Sequence, residues 1–335
     1  MNRIAFLALS CLVAAPLHAE EDFYKGKTIT IVNSTGNGGT YYGVAMAMTR
    51  HMPKYIPGHP TMVVKSMPGG GNVLATNFMF TNAPKDGTYI ATINNSIPLH
   101  QVLDGRGVRY DAAQFNWLGS TGTYNSVAYV WHASEIKTYK DLFSKSVVLG
   151  GTGLGSSIVI YPTITNAMLG TKFNIVLGYN STMDIDLAME RGEVQARTGS
   201  YTGLVSDHPD WLRDQKVRFL FQIGSRPDPA LMGVPLMTEL ASTQEQKRIL
   251  KLVSSPIDVG RPYLAPPGVP ADRLEILRNA FQQALRDKDF LAEMAQQGVG
   301  IDPVSAEELT QIILDTVTTP PDLVEKTKKF VGTME

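Results

Sequence analysis

The sequence predicts an α/β protein of two lobes, each a doubly wound, mostly parallel sheet, with a ligand cleft between them. Residues 28–52 read as a strand, a glycine-rich loop and a helix. The same grammar recurs over 62–81, and the second half of the chain repeats the order of elements from 147 to 201. Repeated strand–loop–helix units build parallel sheets whose ligands gather at the carboxyl ends of the strands.

The opening unit sets the pattern. Residues 28–32 are rich in β-branched side chains and contain no breaker, which suits a buried strand. Residues 33–39 hold Gly36, Gly38 and Gly39 among small polar side chains, so the backbone can approach a ligand closely. From Thr40 the pattern turns helical, with Val44, Ala47, Met48 and His51 on one face. The free N–H groups that open such a helix favour an anion. A tight turn without a ligand explains one loop of this kind equally well. Its repetition favours the ligand.

Along the chain, 53–60 is a proline-rich connection, 62–65 a strand, Pro68-Gly69-Gly70-Gly71-Asn72 a second loop and 73–81 a helix. A turn at 84–87 leads to a strand over 88–93 that ends in Asn94-Asn95-Ser96. Residues 115–131 read as one strand leaving the first lobe for the second. There, 147–149 is a strand, 150–157 its loop and 158–169 a helix whose start is blurred by Pro162. A strand over 173–177, a loop over 178–182, a helix over 183–191 and a strand over 193–197 follow, ending at Gly199-Ser200-Tyr201. A strand at 217–223 and a helix at 243–253 precede the return crossing at 262–270. Amphipathic helices over 271–286, 288–296 and 305–316 complete the first lobe. The expected domains are 20–122 with 262–335, and 123–261, hinged near 119–123 and 255–262.

Composition narrows the function classes. The chain has 335 residues, 43% hydrophobic and 18% charged, ordinary values for a globular protein of two domains. A formal net charge of −1 supplies no basic field for nucleic acid. Arg3, a short apolar run, Pro16 and Leu17-His18-Ala19 read as a secretory signal cleaved near Ala19. Cleavage also removes Cys11, the single cysteine, leaving no disulfide or thiol chemistry. An exported, cysteine-free chain with no later apolar run of spanning length points to the periplasm.

Catalytic patterns are thin. The six histidines are scattered and never at metal-ligand spacing. No stretch fits the phosphate loop that ends in Gly-Lys-Ser/Thr. Gly151-Thr152-Gly153-Leu154-Gly155 comes nearest to a dinucleotide fingerprint, and Gly199-Ser200-Tyr201-Thr202-Gly203 has its serine one place early for a nucleophile elbow. The expectation is a non-enzyme with no cofactor and no metal.

Several motifs in order make the chain resemble the substrate-binding proteins of tripartite tricarboxylate transporters, the Bordetella uptake gene family. They are Phe23-Tyr24-Lys25-Gly26-Lys27, Met67-Pro68-Gly69-Gly70-Gly71-Asn72, Pro84-Lys85-Asp86-Gly87-Thr88, Glu190-Arg191-Gly192-Glu193-Val194 and Ala265-Pro266-Pro267-Gly268-Val269-Pro270. The resemblance covers essentially the whole mature chain. It implies a type 2 periplasmic binding protein, a monomer that closes on a small organic acid and delivers it to membrane subunits. It also implies a carboxylate gripped between loops matching residues 33–42 and 152–157. An exported two-domain enzyme acting on a carboxylate and a ligand-sensing receptor subunit are the alternatives.

The candidate ligand residues are Ser34, Thr35, Asn37, Gly38, Gly39 and Thr40 in the first loop, and Thr152, Gly153, Gly155, Ser156 and Ser157 in the second. Asn95 joins them from the end of the third strand. Where many members carry an acid just inside the first helix, this chain has Tyr41 and Tyr42, and the usual proline is missing at Gly178-Tyr179-Asn180. Tyr41, Tyr42, Tyr179 and Tyr201, with Tyr124 nearby, would offer apolar faces to an aromatic or medium-chain acid. A second carboxylate would reach a tyrosine hydroxyl or Arg197.

Overall fold

The computed structural model describes residues 23–331 except 38, 70–71, 152–156 and 180–181. The proposed signal segment and cleavage point, together with Gly38, Thr152, Gly153, Gly155 and Ser156, lie outside the described residues. Two five-stranded sheets form the frame. The first has the order β2-β1-β3-β10-β4 and is built from β1 (Thr28–Asn33), β2 (Thr61–Ser66), β3 (Tyr89–Thr92), β4 (Asn116–Ser120) and β10 (Pro262–Ala265). The second has the order β7-β6-β8-β5-β9, from β5 (Ser126–Trp131), β6 (Val147–Gly150), β7 (Phe173–Val176), β8 (Ala196–Ser200) and β9 (Val217–Ile223).

The two orders are equivalent position by position. In each sheet three strands run parallel, and the fourth is antiparallel to its neighbours. That fourth strand, β10 in one lobe and β5 in the other, is the one the chain enters after crossing the cleft. The expected single strand over 115–131 is therefore two, β4 and β5, broken at 121–125, where the chain passes between lobes.

Helices cover both faces of each sheet. In the first lobe Ile29 and Ile31 pack under α1 (Gly39–His51), α9 (Ala271–Ala284) and α10 (Lys288–Gln296). Val32 faces α2 (Val73–Thr81), α3 (Ile97–Leu103) and α11 (Ala306–Val317). This alternation is the period-2 signature of a strand covered on both faces. In the second lobe Ala128 and Val130 share a core with α4 (Ser157–Leu169) and α8 (Gln244–Val259). Val127 and Tyr129 pack toward α5 (Thr182–Glu190), α6 (Tyr201–Asp207) and α7 (Pro209–Arg213).

Helix starts follow local chemistry. Thr243 caps α8 through a reciprocal box with Gln246, and Asp287 and Ser305 accept from the first-turn N–H groups of α10 and α11. α3, α6 and α7, which periodicity does not signal, are too short to show a repeat.

The C-terminal helix α12 (Pro321–Val331) lies in the stretch expected to finish the first lobe. Leu323 instead belongs to the core of the second lobe, beside Ile249, Val253 and Ile257, and Lys326 pairs with Glu245. A third crossing at 318–320 thus joins the lobes on the side of α8 and α11.

Candidate functional site

At the end of β1, Asn33 is fully buried and its side chain folds the loop. Its Nδ2 donates to the carbonyls of Thr35 at 3.0 Å and Gly36 at 3.2 Å and to Ser66 Oγ at 3.2 Å. Its Oδ1 accepts from Thr35 Oγ1 at 3.0 Å and from the Thr35 N–H at 3.4 Å. Ser34 is buried and accepts the Asn94 N–H on Oγ at 2.9 Å, tying this loop to the one after β3. Asn94 repeats the device, its Oδ1 accepting from the N–H of Ser96 at 3.0 Å. With the turns held by side chains, Gly36, Asn37, Gly39 and Thr40 stay exposed. Gly39 has φ of 69°, a left-handed backbone that favours glycine where α1 opens.

Neither α1 nor α4 carries an acidic residue in its first turn, so neither helix neutralises its own positive end from within that turn. Ser157, the first residue of α4, is exposed. Gly150 and Gly151 precede it for steric reasons. A Cβ on Gly150 would sit 2.6 Å from Ile185 Cγ2, and one on Gly151 2.7 Å from Val159 Cγ2. Helices α4 and α5 pack directly on that backbone.

The tyrosines divide. Tyr41 does not present its hydroxyl to the loop: it donates to the Gly260 carbonyl at 3.0 Å and accepts the Asn95 N–H at 3.3 Å. Asn95 donates from Nδ2 to the Tyr124 hydroxyl at 3.4 Å, and the Arg261 guanidinium lies 5.3 Å from the centre of the Tyr124 ring. Burial pushes the hydroxyls of Tyr41 and Tyr124 above their ordinary values, and Arg261 pulls both the other way, so both stay protonated at neutral pH. Tyr42 is half-buried in the same turn. Tyr179 is half-buried and packs against the core of the second lobe. Tyr201 opens α6, its ring edge-on to Phe219 at 5.7 Å.

Arg197 departs from the expected role. It is buried, donates to Asp186 and to the Thr182 carbonyl, and lies 5.7 Å from the Tyr129 ring. Asp186 is held on its other oxygen by His208 Nε2 at 3.0 Å, and His208 stacks on Trp211. A guanidinium already matched by a carboxylate has little charge left for a ligand. The cation that sequence reading passed over is Arg261, two residues beyond the helix ending at Val259. Its one signal was its place in the expected hinge at 255–262.

A cavity of about 650 Å³ lies away from these loops. It lies between α8, α11 and α12 and borders the crossing at Thr123, lined also by Arg248, Lys251, Asp258, Glu308 and Asp315. Among the described residues no group of three or more His, Cys, Asp or Glu could hold a metal, and no helix is long and apolar enough to cross a membrane.

No model of a known protein family matches the chain, and no curated protein matches it in sequence. Solved structures do. A TctC solute-binding protein from Polaromonas is 15% identical with a TM-score of 0.70, covering 90% of this chain and 99% of its own. MatC from Rhodopseudomonas palustris, solved with bound malate, is 18% identical with a TM-score of 0.62, covering 89% and 99%. Rpa4515 of R. palustris, solved with adipate, is 17% identical with a TM-score of 0.64, covering 91% and 97%. At these identities the likeness is one of fold, and the fold is the two-lobed architecture of the TctC and Bug solute-binding proteins, over nearly the whole chain.

Proposed function

We propose that this chain is a periplasmic solute-binding protein that takes a small organic acid between its lobes and delivers it to the membrane subunits of a tripartite tricarboxylate-type transporter. The observation that carries the reading is the equivalence of the two lobes. Each presents a glycine-containing loop at the carboxyl end of a parallel strand, and each loop opens a helix with no acid in its first turn. Two such helix ends attract one anion, each contributing roughly 0.3–1 kcal/mol when exposed and up to ~2 when partly buried. Micromolar affinity needs ~8 kcal/mol, so direct hydrogen bonds and desolvation in a closed cleft supply the rest. The likeness to proteins solved with malate and with adipate supports an acid as the ligand class.

In this reading the contact residues are Thr35, Asn37, Gly38, Gly39, Thr40 and Tyr42 of the first lobe and Thr152 to Ser157 of the second. The lobes hinge where 120–124 and 259–262 run side by side. Mass spectrometry of ligand released from freshly purified protein, followed by calorimetry with the acid identified, tests it. The expected result is an unmodified carboxylic acid, returned unchanged after incubation. A bound neutral or cationic solute, or turnover of the acid, would overturn it.

A further inference from the structure

Arg261 is 4% exposed, and among the described residues its side chain donates to neutral oxygens. Nε donates to Thr121 Oγ1 at 3.3 Å and one terminal nitrogen donates to the Gly300 carbonyl at 2.9 Å. No carboxylate among the described residues pairs with it, in contrast to buried Arg197 on Asp186. A buried guanidinium without a counter-charge is costly and is ordinarily paired. Its position is equally telling. It stands between the crossing strands, directly behind the Tyr124 ring, and the Tyr124 hydroxyl is linked through Asn95 to Tyr41 in the first turn of α1. Gly300 lies in the connection that leaves α10, which packs with α1. Arg261 therefore belongs to the α1 side of the crossings, not to the cavity between α8, α11 and α12.

Resting on the carboxylate reading above, we propose that Arg261, acting with the hydroxyl of Tyr124 and the amide of Asn95, is the counter-charge for a second anionic group of the ligand, so that the site selects dicarboxylates over monocarboxylates. One carboxylate sits at the loop and helix ends, and the other reaches the floor of the cleft. There the Tyr124 O–H, protonated at neutral pH, donates to it, and the guanidinium behind the ring supplies the missing charge balance. This assigns to Arg261 the role that the sequence suggested for Arg197.

The test is calorimetric titration of the full mature chain with straight-chain dicarboxylates of four to eight carbons and with the monocarboxylates of matching length, adipate against hexanoate among them. The expected wild-type preference is at least tenfold for the dicarboxylate. Arg261→Gln should weaken the dicarboxylate about tenfold to a hundredfold and change the monocarboxylate less than about threefold, while Arg261→Lys recovers most of the loss. Thermal melting shows whether Arg261→Gln folds. Tyr124→Phe, which keeps the ring over the guanidinium, is the second variant and should narrow the preference several-fold. If monocarboxylates bind as tightly as dicarboxylates, or the variants weaken both classes equally or neither, the inference is overturned and the carboxylate site stands. If no acid of either length series binds, both fall together.

Discussion

The hydroxyl of Tyr41, in the first turn of α1, donates to the carbonyl of Gly260 across 219 residues of sequence, at 3.0 Å. The bond ties the helix that opens the first candidate loop to the strand that crosses back between the lobes. The same oxygen accepts the Asn95 N–H. Tyr41→Phe leaves both buried backbone groups without a partner, which costs about 1–3 kcal/mol. Urea unfolding should show that loss. A stability within a few tenths of a kcal/mol of wild type would mean that water replaces the hydroxyl.

Gly260 has φ of 64°, and a Cβ there would lie 2.2 Å from the Gly122 carbonyl oxygen. The two crossings run so close that only hydrogen fits between them. Gly260→Ala therefore combines a disfavoured backbone with a direct clash and should destabilise by roughly 2–4 kcal/mol. Gly36→Ala, with open space around its Cβ and no positive φ, is the matched control and should melt like wild type.

Asn33 donates three hydrogen bonds that shape the first loop. Asn33→Asp replaces those donors with a carboxylate facing two carbonyls. Stability should fall by about 1–3 kcal/mol, and acid binding should weaken roughly tenfold because the N–H groups of the loop lose their fixed aim. Calorimetry with the released ligand reads the second effect. Unchanged affinity would place the ligand away from this loop.

Asp186 and Arg197 are both nearly inaccessible, their side chains 3% and 5% exposed. Asp186→Asn keeps the shape and removes the charge, stranding a buried guanidinium. The expected cost is about 3–5 kcal/mol. Adding Arg197→Gln to the same chain should recover part of it, and a double variant no better than the single one would show that the pair is not coupled.

Asp287 titrates under two opposed influences. Burial pushes its carboxyl up, but Lys54, the Tyr55 hydroxyl and the N–H groups of Phe290 and Asp289 together hold it well below the usual carboxylate range. A depressed folded-state value contributes stability above the unfolded-state pKa, and that contribution is lost as pH falls toward the folded-state value. The melting temperature should therefore drop between about pH 5 and pH 2. In Asp287→Asn that slope should be shallower and the neutral-pH melting temperature lower. A slope equal to wild type would assign acid sensitivity to other groups, such as Glu293, which Arg50 also holds down.

The sequence by itself determined the architecture. The β-branched run before Gly36, Gly38 and Gly39, and its echo before Gly150 and Gly151, specify strand, loop and helix through local backbone chemistry, and their repetition specifies two lobes. Periodicity also located α9, α10 and α11 to within a few residues. The tertiary structure decided what local pattern cannot encode. It broke 115–131 into two strands, sent α12 to the second lobe and buried Arg197 on Asp186. It also turned the Tyr41 hydroxyl to Gly260 and left Arg261 without a charged partner among the described residues. Each of those outcomes depends on groups far apart in the chain, Tyr41 and Gly260 most plainly. A charge or hydroxyl looks the same in sequence whether or not folding brings it a partner, and only the packed lobes settle which of them remain available to a ligand.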